Sequence, residues 1–157
     1  MAHVVIVGYG NPFRSDDAVG IRAAQQLLET PLPPGTEVFC RHQLTPDLAD
    51  AIQNAEVVVF VDAARGGTPG EVRCAPVHST KLAAPFTHEL TPASLMSLVA
   101  ALYGISPPAF EVSLSGECFR LGDELSTVVA QALPSLIELV VSILDEPFTL
   151  DTVRSHS

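Results

Sequence analysis

The stretch "GYGNPFRSDDAVG", residues 8–20, decides how the chain begins to fold. The run before it, "HVVIVG" (3–8), is continuous, apolar and rich in β-branched residues, which predicts a strand buried on both faces. The glycine-containing turn then enters a helix predicted to begin at about Asp17. A turn of this kind between a buried strand and a helix commonly binds a phosphate group.

The residues of this turn argue against a dinucleotide. The fingerprint G-x-G-x-x-G requires a third glycine for close helix packing, and Phe13 stands in its place. Asp16 and Asp17 lie at the helix start, where carboxylates neutralise the positive end of the helix dipole and repel phosphate. Asp16 also has a plainer interpretation as a helix N-cap, although a cap needs only one carboxylate. The loop is therefore predicted to bind a cation, or a substrate that carries one.

Strand-like and helix-like segments alternate along the rest of the chain. The predicted strands are 3–8, 37–42, 57–63, an edge-type segment at 70–77, and 109–116. The predicted helices begin near Asp17, after the Thr45-Pro46 and Thr91-Pro92 caps, and at about 125, the last ending near 144 with a kink at Pro134.

This alternation predicts an α/β fold of three α/β/α layers. A twisted, mostly parallel sheet lies between the helices, as in phosphorylase/hydrolase-like proteins. The length suits one domain over residues 1–157, with a tail that is expected to be flexible after about residue 147.

Composition excludes some classes of function. The chain has 8 basic and 18 acidic residues, a formal net charge of -10, so nucleic acid is not an expected partner. No uncharged apolar run reaches the roughly 18 residues of a membrane span, and the N-terminus does not resemble a signal peptide. Three widely separated cysteines without a C-x-x-C pair are typical of reduced thiols, which favours a cytoplasmic location.

The candidate site lies where parallel strands end. Sites in such sheets form beyond the carboxyl ends of the strands. Asp17 follows the first strand, Asp62 closes "VVVFVD", and His88 lies in "PFTHELTP", so the three are expected on one rim. Two carboxylates and an imidazole suit a divalent ion such as zinc or nickel.

Each member of this set also has a plainer interpretation. Asp62 could initiate a turn before Gly66-Gly67, and His88 could be a solvated loop histidine. His42, after the second predicted strand, is equally compatible with a supporting hydrogen-bond donor and with an ordinary surface residue.

At these residues the sequence resembles the endopeptidases that mature nickel-iron hydrogenases. Their first motif, G-x-G-N followed by D-[DE]-x-x-G, reads "GYGNPFRSDDAVG" here. Their second, an apolar strand ending in Asp-Ala before glycines, reads "VVFVDAARGGTPGEV". Their third, Ser/Thr-His before an amphipathic helix, reads "THELTPASLMSLVAALYG". A final strand and polar loop, "EVSLSGECFRLGDELS", extends the collinear match over about residues 4–143.

The resemblance implies a function and a metal-contacting set. Asp17, Asp62 and His88 match the residues that contact nickel already inserted in the large-subunit precursor of the hydrogenase. A short C-terminal peptide is then removed, so the implied partner is that precursor. The precursor supplies the nickel, and no tightly bound organic cofactor is expected. Position 17 is Asp where several relatives have Glu, which shortens the reach by one methylene.

The attacking group and some rival functions stay open on the sequence alone. Nickel could activate a water, or Asp17 or Asp62 could act as general base as in aspartic proteases, with Asp16 assisting. A non-enzymatic nickel carrier or an autonomous zinc peptidase would use the same residues. "GYGNP" also resembles peptidyl-tRNA hydrolases, which have a histidine-asparagine pair rather than Asp16-Asp17 and a basic face.

Overall fold

The computed structural model describes residues 3–79 and 90–145. The strands are β1 (Val4–Tyr9), β2 (Thr36–Arg41), β3 (Val57–Ala64), β4 (Val72–Pro76) and β5 (Ala109–Ser115). The helices are α1 (Val19–Leu28), α2 (Leu48–Ile52), α3 (Pro92–Tyr103) and α4 (Thr127–Asp145). A short 3-10 turn, Ser15–Ala18, precedes α1.

The five strands form one sheet in the order β2-β1-β3-β5-β4. All neighbouring pairs are parallel except β4 and β5, which are antiparallel, and β4 lies at the edge as predicted. The predicted α/β class with a mostly parallel sheet is confirmed. In this order β3 is central, and the carboxyl ends of β1, β3 and β5 open on one rim.

Apolar side chains cover both faces of the sheet. In β1, Val4 and Ile6 pack into one core while Val5 and Val7 pack into the other, which explains why the run is continuously apolar. The first core is completed by apolar residues of α1 and α4, and the second by residues of α2 and α3. These two cores form the three layers that the alternation predicted.

The two predicted helix caps have different outcomes. Thr91 caps α3 in a reciprocal capping box with Ser94, and Pro92 is its first residue, as predicted. The cap at Thr45-Pro46 is wrong, because α2 begins at Leu48 and makes no side-chain cap bond. Thr45 instead donates its hydroxyl hydrogen bond to Asp47, so the side chain is occupied before the helix starts.

Helix α4 is long and apolar enough, by length and composition, to cross a membrane. Its buried residues, however, pack against the sheet in the first core; they are Val129, Leu133, Leu136, Val140 and Ile143. One side of α4 is therefore packed in the core of the domain. The predicted flexible tail lies outside the described residues.

Glycines allow α1 to approach the sheet closely. A Cβ on Gly20 would lie 2.3 Å from the carbonyl oxygen of Val61 and 2.4 Å from that of Tyr9. Gly10 has φ +150°, and a Cβ there would lie 1.9 Å from the carbonyl oxygen of Asp17. The glycines of the opening motif therefore serve packing, which brings the start of the helix against the ends of β1 and β3.

Candidate active site

Asp17 and Asp62 line the same narrow cavity at the carboxyl ends of β1 and β3. Its volume is about 120 Å³, and its other lining residues include Tyr9 and His42. The backbone N–H of Asn11 donates to Oδ2 of Asp17 at 2.8 Å, which fixes this carboxylate within the 3-10 turn. Two of the predicted site residues thus lie together on the rim.

Asp62 accepts a hydrogen bond on one of its two carboxylate oxygens. The hydroxyl of Tyr9 donates to its Oδ2 at 2.6 Å, across two adjacent strands. Its Oδ1 is buried and has no hydrogen-bond partner within the described part of the chain. A buried carboxylate oxygen without a donor is costly, so this atom is suited to a proton or a cation.

A second carboxyl group, that of Glu111 on β5, lies against Asp62. The pKa of Asp62 is raised to about 8, chiefly by burial and then by the hydrogen bond with, and the charge of, the adjacent Glu111. The hydrogen bond from Tyr9 opposes this shift, and the charge of Asp17 adds to it. Burial and the Asp62 carboxylate also raise the pKa of Tyr9, which keeps the phenol a hydrogen-bond donor. Asp62 therefore holds a proton near neutral pH, beside Glu111.

Sequence reasoning missed Glu111. The only signal is an acidic residue inside the otherwise apolar stretch "AFEVSLS", where a half-buried charge needs a specific partner. The partner is a residue of another strand, and the sheet order that makes β3 and β5 neighbours cannot be read from one sequence. The stretch alone therefore indicated a strand and nothing more.

Hydrogen bonds from a distant segment of the chain surround the carboxylate of Asp16. Its buried carboxylate accepts hydrogen bonds from the backbone N–H groups of Glu117 (2.8 Å), Cys118 (2.9 Å) and Ser126 (2.7 Å), and from the Ser126 hydroxyl (2.8 Å). Burial alone would raise the pKa of Asp16, but these hydrogen bonds lower it below the usual value. Asp16 makes no cap bond to its own helix, so the N-cap interpretation is wrong; it anchors residues 117–126 instead.

The third predicted ligand, His88, lies outside the described residues. Among residues 3–79 and 90–145, no group of three or more His, Cys, Asp or Glu side chains is arranged to hold a metal ion. The described donors are therefore the two carboxylates of Asp17 and Asp62. His42 lines the cavity beside Asp17, and its role remains a prediction.

Three adjoining cavities form a continuous cleft along the rim. The narrow cavity shares Tyr9, Asp62 and Leu90 with a larger one of about 860 Å³, which also reaches Glu111 and the start of α3. On its other side it shares Asp17, His42 and Gln43 with a cavity of about 480 Å³. Asp17 and Asp62 line the narrow cavity, which lies between the two larger ones.

Several solved structures similar to this fold are hydrogenase maturation proteases or endopeptidases. The NiFe hydrogenase maturation protease HycI from Thermococcus kodakarensis is 28% identical, with a TM-score of 0.74 over 92% of this chain and 94% of that chain. The hydrogenase maturating endopeptidase HybD from E. coli is 21% identical, with a TM-score of 0.75 over 91% and 92%. An endopeptidase from E. coli is 22% identical, with a TM-score of 0.73 over 99% of both chains. No family model and no curated sequence matches.

Fold and cavities together define an α/β domain with carboxylates at the ends of its parallel strands. More specifically, the chain is a structural relative of the hydrogenase maturation proteases, and the resemblance carried by the three sequence motifs is confirmed. These relatives are peptide-bond hydrolases, which supports the prediction of an enzyme.

Proposed function

We propose that this protein is an endopeptidase that removes a short C-terminal peptide from the nickel-bearing large-subunit precursor of a nickel-iron hydrogenase. One observation carries the proposal: Asp17 and Asp62 line a single cavity, and Asp62 presents a buried oxygen without a partner. Carboxylate oxygens suit a divalent cation with open coordination positions. His88, predicted by resemblance, would complete the set, and the nickel would arrive with the precursor.

The chemistry of peptide hydrolysis requires a proton to be moved twice. The attacking water loses a proton as its oxygen joins the carbonyl carbon, and the leaving nitrogen gains one as the C–N bond breaks. The nickel of the precursor would polarise the scissile carbonyl or its bound water. Asp17 or Asp62 would accept the proton of the attacking water and return it to the leaving amine, so the hydrolysis needs no other proton source.

Tyr9 would position this machinery. Its hydroxyl donates to Oδ2 of Asp62 at 2.6 Å, which fixes the orientation of a carboxylate that lines the cavity. The surrounding apolar strands limit access of water to the pair. A carboxyl group with a pKa of about 8 exchanges protons efficiently near neutral pH, as a general acid or base must.

The decisive experiment compares nickel-loaded and nickel-free precursor. Each is incubated with the protein, and intact mass reports loss of the C-terminal peptide. We expect cleavage of the loaded form alone. If both forms are cut at equal rates, nickel recognition is wrong; if neither is cut, the endopeptidase proposal is wrong.

The same experiment separates the rival functions. A nickel carrier would bind nickel in the free state and leave the loaded precursor uncut. An autonomous zinc peptidase would cut unrelated peptides and depend on added zinc.

We also propose a cytoplasmic location, because Cys40, Cys74 and Cys118 are all free thiols.

A further inference from the structure

Two arginines and an exposed phenylalanine line one end of the cleft. Phe13, Arg14 and Arg65 border the cavity of about 480 Å³, which shares Asp17 and His42 with the narrow cavity at the candidate active site. Phe13 is 64% exposed. Exposed phenylalanine beside arginine is typical of protein-binding surfaces, where aromatic residues and arginine are enriched.

Arg14 and Arg65 lie at the same cavity in a chain with a net charge of -10. Elsewhere Arg41 pairs with Asp47 at 3.8 Å, and Arg73 pairs with Glu71 at 2.9 Å. Within the described part of the chain, neither Arg14 nor Arg65 makes an ion pair. Two arginines without a carboxylate partner therefore line the same cavity, although acidic side chains outnumber basic ones.

Both arginines lie on a firmly held surface. The guanidinium of Arg65 stacks over the ring of Phe119 at 4.1 Å, which restricts its orientation while leaving its N–H edges available. Arg14 lies in a loop joined to residues 120–122: Gly122 N–H donates to the Phe13 carbonyl, and Ser15 N–H donates to the Gly122 carbonyl, both at 2.9 Å. A preorganised surface loses little entropy on binding.

An apolar residue adjoins the arginines and extends this surface. Leu121 is 77% exposed and precedes Gly122, whose backbone contacts Phe13. The nearby acidic residues Glu117, Asp123 and Glu124 do not line the cavity, whose single carboxylate among the described lining residues is Asp17. The cavity is therefore cationic and apolar at one end, and acidic where it meets the active site.

We propose that Arg14 and Arg65 bind a carboxylate side chain of the protein substrate, with an adjoining apolar side chain packed on Phe13. This inference rests on the proposed function. It identifies a feature of the protein substrate that the cleft recognises in addition to the metal. The bound segment lies along the cleft, with its acidic part at the arginines and its scissile bond near Asp62. Arg14 and Arg65 are then specificity-determining residues that contact the substrate away from the reacting atoms.

The test uses matched charge reversals and the nickel-loaded precursor. Arg65→Glu and Arg14→Glu each place a like charge opposite the substrate carboxylate, while Arg73→Glu makes the same charge change on β4, outside the cleft lining. We expect each cleft variant to raise KM about tenfold with kcat nearly unchanged, and to lose most of the salt dependence of KM. The Arg73→Glu control should match the wild type.

Two readouts keep this inference separate from the proposed function. If the wild type cuts the precursor and the cleft variants have its KM, the arginine inference is wrong and the endopeptidase proposal stands. If the wild type does not cut the precursor, a direct measurement of its binding to the nickel-loaded precursor still tests the arginine inference. Weaker binding by Arg65→Glu than by Arg73→Glu supports the docking site, whereas equal binding by the two variants overturns it.

Discussion

Asp62 shows how one residue acquires its chemistry from its neighbours. An exposed aspartate at a strand end would ionise well below neutral pH. Here burial and Glu111 raise its pKa to about 8, and Tyr9 moderates the shift. The sequence indicated the position of Asp62 but not this environment, because its two partners come from β1 and β5.

Removing the Glu111 charge should change how stability depends on pH. The folded protein binds the shared proton more tightly than the unfolded chain, so the free energy of unfolding should fall as pH rises from about 4 to about 8. The slope for one proton cannot exceed about 1.4 kcal/mol per pH unit. Glu111→Gln should flatten this decline, because the pKa of Asp62 moves back toward its ordinary value. Urea unfolding across that pH range measures the free energy of unfolding. Parallel pH profiles for the variant and the wild type would contradict the interaction between Glu111 and Asp62.

Tyr9→Phe should impair catalysis more than folding. The variant removes the hydroxyl that donates to Asp62 at 2.6 Å, a loss expected to cost about 1–3 kcal/mol of stability. Because this hydrogen bond lowers the pKa of Asp62, its loss should raise that pKa. The pH profile of kcat should then shift toward higher pH. Processing assays over a pH series measure the effect. Tyr103→Phe, on the exposed end of α3, is the control; identical profiles for both variants would contradict a positioning role for Tyr9.

At the scale of elements, Asp16 ties the 3-10 turn to the start of α4. Its four hydrogen bonds join two segments about a hundred residues apart in the sequence, which local capping would not do. We expect Asp16→Asn to lower the free energy of unfolding by about 2–4 kcal/mol, since an amide faces these donors with one acceptor oxygen and an NH₂ group. Asp17→Asn should lower the free energy of unfolding much less, because among the described residues the side chain at position 17 accepts only the one hydrogen bond from the Asn11 backbone N–H. Equal urea midpoints for the two variants would refute the anchoring role.

The elements themselves were largely predictable, and the exceptions have physical reasons. Continuous β-branched runs such as 57–63 can be buried on both faces, so they predicted the central parallel strands. Thr91 was recognised as a cap because Pro92 and an apolar helix follow it. Thr45 carries the same signal, but its hydroxyl bonds to Asp47 and the helix starts later. Local patterns of this kind do not show whether a hydroxyl will bond to the helix backbone or to a nearby side chain.

At the scale of the whole molecule, the sheet order assembles the site. Because β3 lies between β1 and β5, residues from three distant parts of the chain, Tyr9, Asp62 and Glu111, meet at one rim. The rule that sites form at the carboxyl ends of strands correctly placed Asp17 beside Asp62. It could not place Glu111 or the arginine cavity, which depend on strand adjacency and on the loop at 116–126. The roles of Asp17, Asp62 and His88 in metal contact stay predictions.

The donor set of the cleft leads to a prediction about where the metal resides. Structural metal sites in proteins usually have four ligands, often Cys or His, whereas the described residues offer two carboxylates here. One of these shares a proton with Glu111, and a metal must displace that proton, which weakens binding near neutral pH. We therefore expect the purified protein to contain substoichiometric metal, and nickel titrated into it to bind weakly, more tightly at pH 9 than at pH 7.

Elemental analysis and calorimetric titration measure this directly, with Asp62→Ala as the variant that removes one donor. With the loaded precursor present, nickel should instead remain in the complex, because the thiolates of the precursor supply the other ligands. Cleavage then cannot precede metal insertion, since part of the coordination sphere arrives with the substrate. One tightly held zinc per free chain, unaffected by Asp62→Ala, would show that the metal belongs to this protein and lies elsewhere in it.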